Sequence, residues 1–417
     1  MLNALRNATY RRLFLAQVIA LAGTGLATVA LGLIAYDVGG DRAGSVLGTA
    51  FAIKMLAYVL VAPAAAALLA RLPRRAVMVG ADLVRLAAAA CLPWVDQSWQ
   101  IYLLVLVLQS ASATFTPAFQ ATIPAVLADE RDYTGALSLS RLAYDLEAVL
   151  SPVLAAALLL VVPDRALFLG TAAGFGASAL VVLSSTLPRT TAADDSPAPL
   201  SDRMLAGARL MVRGPALRPV LALNVAVAAA GATVLVQTVL IVRGHFGQSA
   251  GVMALVLAAN GAGSMLTAFT LPRVLTEQRE RAVMLGGAVV ATAGVLLLPL
   301  ALRASSPVLG LLAVSLLWLA VGVGWAMAET PVGRIIRRAV APGQLPAVFA
   351  AQFSLSHAGW LLTYPLSGAL GTAFGSGGSA LALGVVAAVA TGIAATTWPG
   401  TTRDPAAVDR AGPPIGP

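Results

Sequence analysis

The sequence predicts an all-α membrane protein of twelve transmembrane helices in two pseudo-symmetric six-helix bundles. Three observations carry that expectation. The 417-residue chain is 59% hydrophobic and only 11% charged, with a mean hydropathy of +0.86, where an average soluble domain has about 25% charged residues. Uncharged stretches of the roughly 20 residues that a bilayer demands recur along its whole length. Related segments also return after about 210 residues, the spacing expected of two homologous halves.

Taken in order, the spans fall at 13–38, 44–70, 76–95, 101–127, 136–162 and 166–187, then at 216–242, 251–275, 282–302, 307–328, 345–374 and 380–398. Arg6, Arg11 and Arg12 before the first span mimic a signal peptide, but its apolar run exceeds the roughly 7–15 residues of a signal h-region, so it reads as a retained helix. Residues 1–187 and 215–398 are the two bundles. Between them, 188–214 is rich in Pro, Asp, Ser and Arg and reads as a solvated cytoplasmic linker. The Pro- and Gly-rich 399–417 reads as a disordered cytoplasmic tail.

Two matches support the repeat. Arg75-Ala-Val-Met-Val-Gly-Ala81 corresponds to Arg281-Ala-Val-Met-Leu-Gly-Gly-Ala288, each opening the third span of its half, and Ser138-Leu-Ser-Arg141 corresponds to Ser354-Leu-Ser-His357 near each fifth span. Their offsets of 206 and 216 agree with the linker position.

The net charge of +9 does not mark a nucleic-acid binder, because the basic residues sit in short inter-span loops and form no basic face or tail. About 20 of them fall on one set of alternate loops, and four, Arg42, Arg165, Arg243 and Arg303, on the other. The positive-inside rule then places both termini in the cytoplasm of a multi-pass protein of the cell (inner) membrane. Cys91 is the only cysteine, so no internal disulfide and no thiolate cluster can form. No phosphate-binding Gly-x-x-x-x-Gly-Lys-Ser/Thr loop, His-Glu-x-x-His or Gly-x-Ser-x-Gly motif is present. A membrane enzyme or a non-transporting sensor is the rival reading, and short loops leave it no room for a soluble active site.

The loop Ala66-Ala-Leu-Leu-Ala-Arg-Leu-Pro-Arg-Arg75, the twelve-span layout and the long central linker together resemble the major facilitator superfamily. Within it the likeness is to the drug-efflux branch of macrolide-efflux-like and siderophore-exporter-like proteins, and it covers nearly the whole chain. Ala66 and Ala70 stand where that family's loop has Gly and Asp, while Arg71, Arg74 and Arg75 keep its basic residues. With Asp82 and Arg85, an i,i+3 pair, they form the expected conformational latch. The Gly-rich antiporter motif of the fifth span is reduced to Ser151-Pro152. The resemblance implies a monomeric, proton-coupled secondary transporter that exports a small amphipathic molecule, drug or siderophore-like, by alternating access and without a cofactor. Export of a divalent metal such as nickel, cobalt or iron is the alternative. Against it stand only two histidines and one cysteine, since transition-metal sites favour imidazole and thiolate.

Charged groups inside a span cost about 2.5–3.5 kcal/mol each, so they mark a cavity or a partner. Asp37 and Lys54, on consecutive spans, are read as a charge pair, or as a proton site tuned by the chain's only lysine. Arg141, Tyr144 and Asp145 share one face of the fifth span and Glu147 points away from Asp145. Glu329 ends a stripe of Trp318, Gly322 and Trp325 on the tenth span, suited to a lipophilic cation. On the eleventh, Phe353, His357, Trp360 and Tyr364 form a stripe beside Gln352, Ser356, Gly359 and Thr363. A cavity wall and a helix seam are the two readings of that surface. Gln17 and Gln109 complete the expected substrate-facing set. Asp37, Lys54, Arg141, Asp145, Glu147, Glu329 and His357 are the candidates for proton coupling.

Overall fold

The computed structural model describes residues 2–61, 72–127, 129–187, 200–274, 279–341 and 344–399. Arg71 of the expected latch, the first part of the expected linker at 188–199 and the tail 400–417 lie outside them. Among the described residues every regular element is helical.

The amino half comprises α1 (Ala8–Gly39), α2 (Ala43–Leu56, continued by a π turn Ala57–Val61), α3 (Arg74–Cys91), α4 (Ser98–Val126), α5 (Glu130–Leu158) and α6 (Leu167–Leu183). Next comes α7 (Leu200–Arg213), so the second part of the expected linker is a helix, packed on the last helix where Gly207 faces the Ala347 backbone. The carboxyl half comprises α8 (Arg218–Val239), α9 (Ala250–Val274), α10 (Glu280–Leu296), α11 (Pro307–Glu329), α12 (Val332–Ala339) and α13 (Leu345–Thr397).

Most of these helices are apolar on every side, as bilayer solvent and a shared interior both demand. Local signals set their ends. The Asn7 side chain accepts from the backbone N–H of Thr9 (3.0 Å) and Tyr10 (3.1 Å) to start α1, and Ser306 with Pro307 behind it starts α11. α12 is two-faced. It buries Val332, Ile335 and Ile336 and exposes Arg334, Arg337 and Arg338.

Among the described residues, nine helical segments are long and apolar enough to cross a membrane. Ala8–Val61 and Ala347–Thr397, at 54 and 51 residues, have about twice the length of one span. Each is broken by a glycine in the left-handed region, Gly40 (φ 51°) and Gly375 (φ 71°), a conformation that disfavours any side chain. Glu130–Leu158 reaches span length outside the nine, with Arg141, Asp145 and Glu147 inside it.

The internal repeat is visible in space. Arg75 donates to the Leu183 carbonyl at the end of α6, and Arg281, its counterpart, donates to the Ala395 carbonyl near the end of α13 at 3.3 Å. In each half an arginine opening the third span therefore caps the carbonyl end of the last. Within the amino half α1 packs on α5 and α6, and α3 on α4 and α6. Within the carboxyl half α8 packs on α13, and α11 on α9 and α10. The halves meet where α2 crosses α13 and α5 crosses α9.

Candidate functional site

Between those two seams lies a cavity of about 300 Å³, walled by both halves. The amino half supplies Gly25 and Thr28 of α1, Lys54 of α2, and Glu147 and Ser151 of α5. The carboxyl half supplies Asn260 and Ser264 of α9, with Trp325 and Glu329 of α11. Glu329 ends α11 and Ala268 lies near the end of α9, so the cavity runs from mid-depth towards the face bearing the arginine-rich loops.

Gly25 explains how Glu147 reaches it. A methyl group at that position would overlap the Ser151 side chain and fall 2.6 Å from Glu147 Oε1, so only a bare backbone lets α5 close on α1 with this register. On the facing wall Asn260 Nδ2 donates to the Trp318 carbonyl at 3.2 Å, and Ser264 Oγ to the Gly322 carbonyl at 3.0 Å. These bonds pin α9 to α11 without using water. Lys54 and Glu147 face the same space and interact electrostatically across it.

The expected Asp37–Lys54 pair is replaced by two separate arrangements. Asp37 lies in the last turn of α1, two residues from its end, whereas Lys54 lies eleven residues into α2, a difference in depth of about 13 Å at 1.5 Å per residue. Asp37 instead stands 3.8 Å from Arg243 of the carboxyl half, which also stands 3.3 Å from Asp164 and lies over the Tyr36 ring at 5.2 Å. This cluster joins the halves at the face opposite the arginine-rich loops. Nearby, Ser45 and Thr372 hydroxyls meet at 2.9 Å across the α2–α13 seam, where Gly44 and Gly368 bring the backbones together.

The other expected residues divide between packing and seams. Gln17 is buried and accepts from Ser140 Oγ at 3.0 Å. Trp318 is fully buried and donates from Nε1 to Thr238 Oγ1 at 2.8 Å, so it is interior packing and not cavity wall. Gln352 pairs its amide reciprocally with Asn224, both bonds 3.2 Å, inside the carboxyl half. The stripe of Phe353, His357, Trp360 and Tyr364 lies outside the cavity lining and lies along the crossing with α2. Tyr58 of the amino half lies tilted 5.8 Å from His357 and edge-on 6.4 Å from Phe353, and Phe51 lies tilted 5.0 Å from Tyr364. Trp360 lies 4.9 Å from Trp325 and so backs the cavity at one remove. His357 Nδ1 is 2.7 Å from the Phe353 carbonyl, which can only accept, and Ser356 Oγ donates to that same carbonyl at 2.9 Å. Gln109 is buried against a small chamber that Lys54 also borders.

Asp82 and Arg85 are not part of a surface latch. The pair is buried inside the amino half, where Arg85 donates to Asp82, Ser178 Oγ donates to Asp82 at 2.8 Å, and the guanidinium lies between the Phe115 and Phe175 rings at 4.3 and 4.5 Å. The reason is register: position 82 is two turns past the Arg74 start of α3, already beneath the surface. Arg74 stays near that start while Arg75 caps α6. On the same face of the carboxyl half, buried Glu280 instead takes Arg338 and, at 3.1 Å, Arg334. The side chains of Arg141 and Asp145 lie outside the described set.

Sequence reasoning missed Gly25, Asn260, Ser264, Asp164 and Arg243. Asn260 and Ser264 carried a signal, as polar residues one turn apart in an otherwise apolar span. No group of three or more His, Cys, Asp or Glu side chains that could hold a metal occurs among the described residues. A wider depression of about 500 Å³ between α3 and α4 is apolar and lies on the outer flank of the amino half.

The model of the Major Facilitator Superfamily matches residues 13–332 of the sequence. The chain belongs to that superfamily. No curated protein sequence matches it. Its fold is similar to that of the nucleoside transporter NupG in a mutant form, with a TM-score of 0.76 at 13% identity over 94% of this chain and all of the other. A POT family transporter in complex with a thioalcohol-conjugated peptide gives 0.72 at 13% identity, covering 93% and 95% of the two chains. A bacterial homologue of the human lysosomal transporter Spinster, inward-facing and unoccupied, gives 0.71 at 15% identity, covering 94% and 97%. As a major facilitator, this chain is a multi-pass membrane transporter.

Proposed function

We propose that the protein is a proton-coupled exporter of a small amphipathic molecule, drug or siderophore-like, working as a monomer by alternating access through the cavity between the halves. The observation that carries the reading is that Lys54 and Glu147 both face that cavity, with Trp325 and Glu329 on its other wall. Glu147 is the proton carrier in this reading. It is a carboxylate at mid-depth, its partner is a single ammonium, and its approach depends on Gly25. Protonation removes its charge and frees Lys54, so the proton and the substrate can exchange within one site. One proton moving down about 100 mV supplies about 2.3 kcal/mol, enough for a gradient near fiftyfold.

Twelve spans follow if the two double-length segments count twice each and Glu130–Leu158 counts once. The positive-inside rule then makes the arginine-rich face cytoplasmic, with both termini and the linker on that side. The cavity extends towards that face, while the Arg243 cluster and the Gly44–Gly368 approach hold the opposite face together. That is the arrangement of a transporter taking up its load from the cytoplasm. Trp325 presents an aromatic surface for an apolar or cationic substrate.

The test is a tolerance screen of knock-out and overexpressing strains against antibiotics, dyes, siderophores and metal salts. A compound whose tolerance moves in opposite directions in the two strains is then followed in proteoliposomes under an imposed pH gradient. Wild type should respond to the gradient, and Glu147→Gln should keep substrate exchange while losing that response at least tenfold. An organic compound supports the reading, and a metal salt alone overturns it in favour of metal export. A gradient response unchanged in Glu147→Gln removes Glu147 as the carrier.

A further inference from the structure

Beside the transport cavity, sharing Thr28 and Lys54 with it, the amino half lines a second space of about 20 Å³. Its wall is apolar except for Thr24, Thr28, Lys54 and Gln109. A void needs roughly 10–15 Å³ on this measure, and two to four polar partners, to hold one water. Gln109 is 7% exposed, and its Oε1 has no hydrogen-bond partner within the protein. Both threonine hydroxyls donate back along α1, Thr24 to the Ala20 carbonyl at 3.0 Å and Thr28 to the Thr24 carbonyl at 3.1 Å, which leaves their oxygens able to accept. Lys54 and Thr28 border both this chamber and the cavity that holds Glu147, and of the two only Lys54 carries a charge.

We propose that the chamber binds one ordered water that links the Gln109 amide to the Lys54 ammonium, giving Lys54 a second station away from Glu147. The water accepts from Nζ and donates to Gln109 Oε1 and to a threonine oxygen, which uses the chamber's unpaired polar capacity. The ammonium on the wall argues for a neutral guest over a metal cation. The groups facing Lys54 are then Glu147 from α5 and, across the cavity, Glu329 from α11, with the hydrated Gln109 from α4 in the chamber and His357 of α13 at longer range. When Glu147 is neutralised by a proton or engaged by substrate, the lysine stays solvated and the transporter avoids stranding a bare charge in the bilayer. Gln109 is thereby a positioning residue for the coupling pair, a role that rests on the proposed function, whereas the water site itself does not.

A double-mutant cycle read as melting temperature tests the site without reference to transport. Glu147→Gln removes one station and Gln109→Leu removes the other. The double variant should melt lower than the sum of the two single shifts allows, and a Lys54→Met background should restore additivity. If Gln109→Leu does not fold, Gln109→Met gives the same cycle. A structure at a resolution that shows solvent should place one peak within about 3.2 Å of both Gln109 and Lys54. Additive shifts with Lys54 present, a dry chamber, or an anomalous halide peak there after a bromide soak each overturn the proposal. A cycle that succeeds beside an unchanged gradient response in Glu147→Gln would keep the water site and reject the coupling role.

Discussion

Arg243 of the carboxyl half stands 3.3 Å from Asp164 of the amino half, and the same guanidinium group reaches to 3.8 Å from Asp37. One cation thus ties the end of α1 and the turn before α6 to the π turn Leu240–His245 that continues α8. The three groups are between a quarter and a third exposed, so each link is worth about 0.2–1 kcal/mol and weakens with salt. A contribution of that size stabilises one state of a two-state cycle without locking it.

Removing the cation should therefore favour the state in which this face is open. Arg243→Ala is expected to raise that population up to about fivefold, the equivalent of roughly 1 kcal/mol. Spin labels at Asp41 and Arg303, exposed on either side of this face, should show a larger long-distance fraction in the variant. Unchanged distance distributions would mean that the cluster does not hold the seal.

Gly25→Ala should push α5 off α1, since the added methyl overlaps Ser151. The expected outcome is a stability loss of about 1–3 kcal/mol and loss of transport. Adding Ser151→Gly removes the clash and leaves only the flexible Glu147 tip to adjust, so both properties should recover in part. No recovery in the double variant would place the damage elsewhere.

Trp318 and Trp325, one expected face of a single helix, should behave differently. Trp318→Phe loses the bond to buried Thr238 and should cost about 1–3 kcal/mol of stability while the apparent KM for substrate stays unchanged. Trp325→Ala should raise KM more than it lowers the melting temperature. Equal effects of the two changes on KM would contradict the assignment of one to packing and the other to the cavity.

Topology is testable through the native thiol background. In a Cys91→Ala chain, Arg213→Cys on α7 should resist a membrane-impermeant thiol reagent applied to intact cells, and Arg303→Cys should react. The reverse pattern would invert the orientation read from the arginine loops.

Composition and repeat spacing were enough to read the two-bundle helical fold from sequence, because a bilayer leaves few alternatives to apolar helices. The Arg75 and Arg281 segments were also legible, since both halves need the same cap on their last helix. The site was legible only as a set of residue types. Glu147 and Lys54 stood out as charges within spans, yet their facing one cavity depends on how α2 and α5 each pack on α1, which no local spacing encodes. Asp37 was paired with Lys54 because neighbouring spans suggest contact, and depth along the two helices ruled that out. The aromatic stripe of Phe353, His357, Trp360 and Tyr364 was read as a cavity wall or a helix seam. Whether such a face meets water or another helix depends on the partner, and here that partner is Phe51 and Tyr58 across the seam. Gly25 left no trace, since a glycine in an apolar helix gives no hint of the atoms packed against it.

The central claim is that the cavity between the halves is the transport route, open to one face at a time. Ser264 tests it most directly, since it lines that cavity on the carboxyl half. In the Cys91→Ala background, Ser264→Cys should react with an impermeant thiol reagent applied to the arginine-rich face of oriented vesicles. It should react from the opposite face only slowly, and faster there once Arg243→Ala is added. A thiol at 264 that reacts equally from both faces in the parent, or from neither face in any variant, would contradict the account.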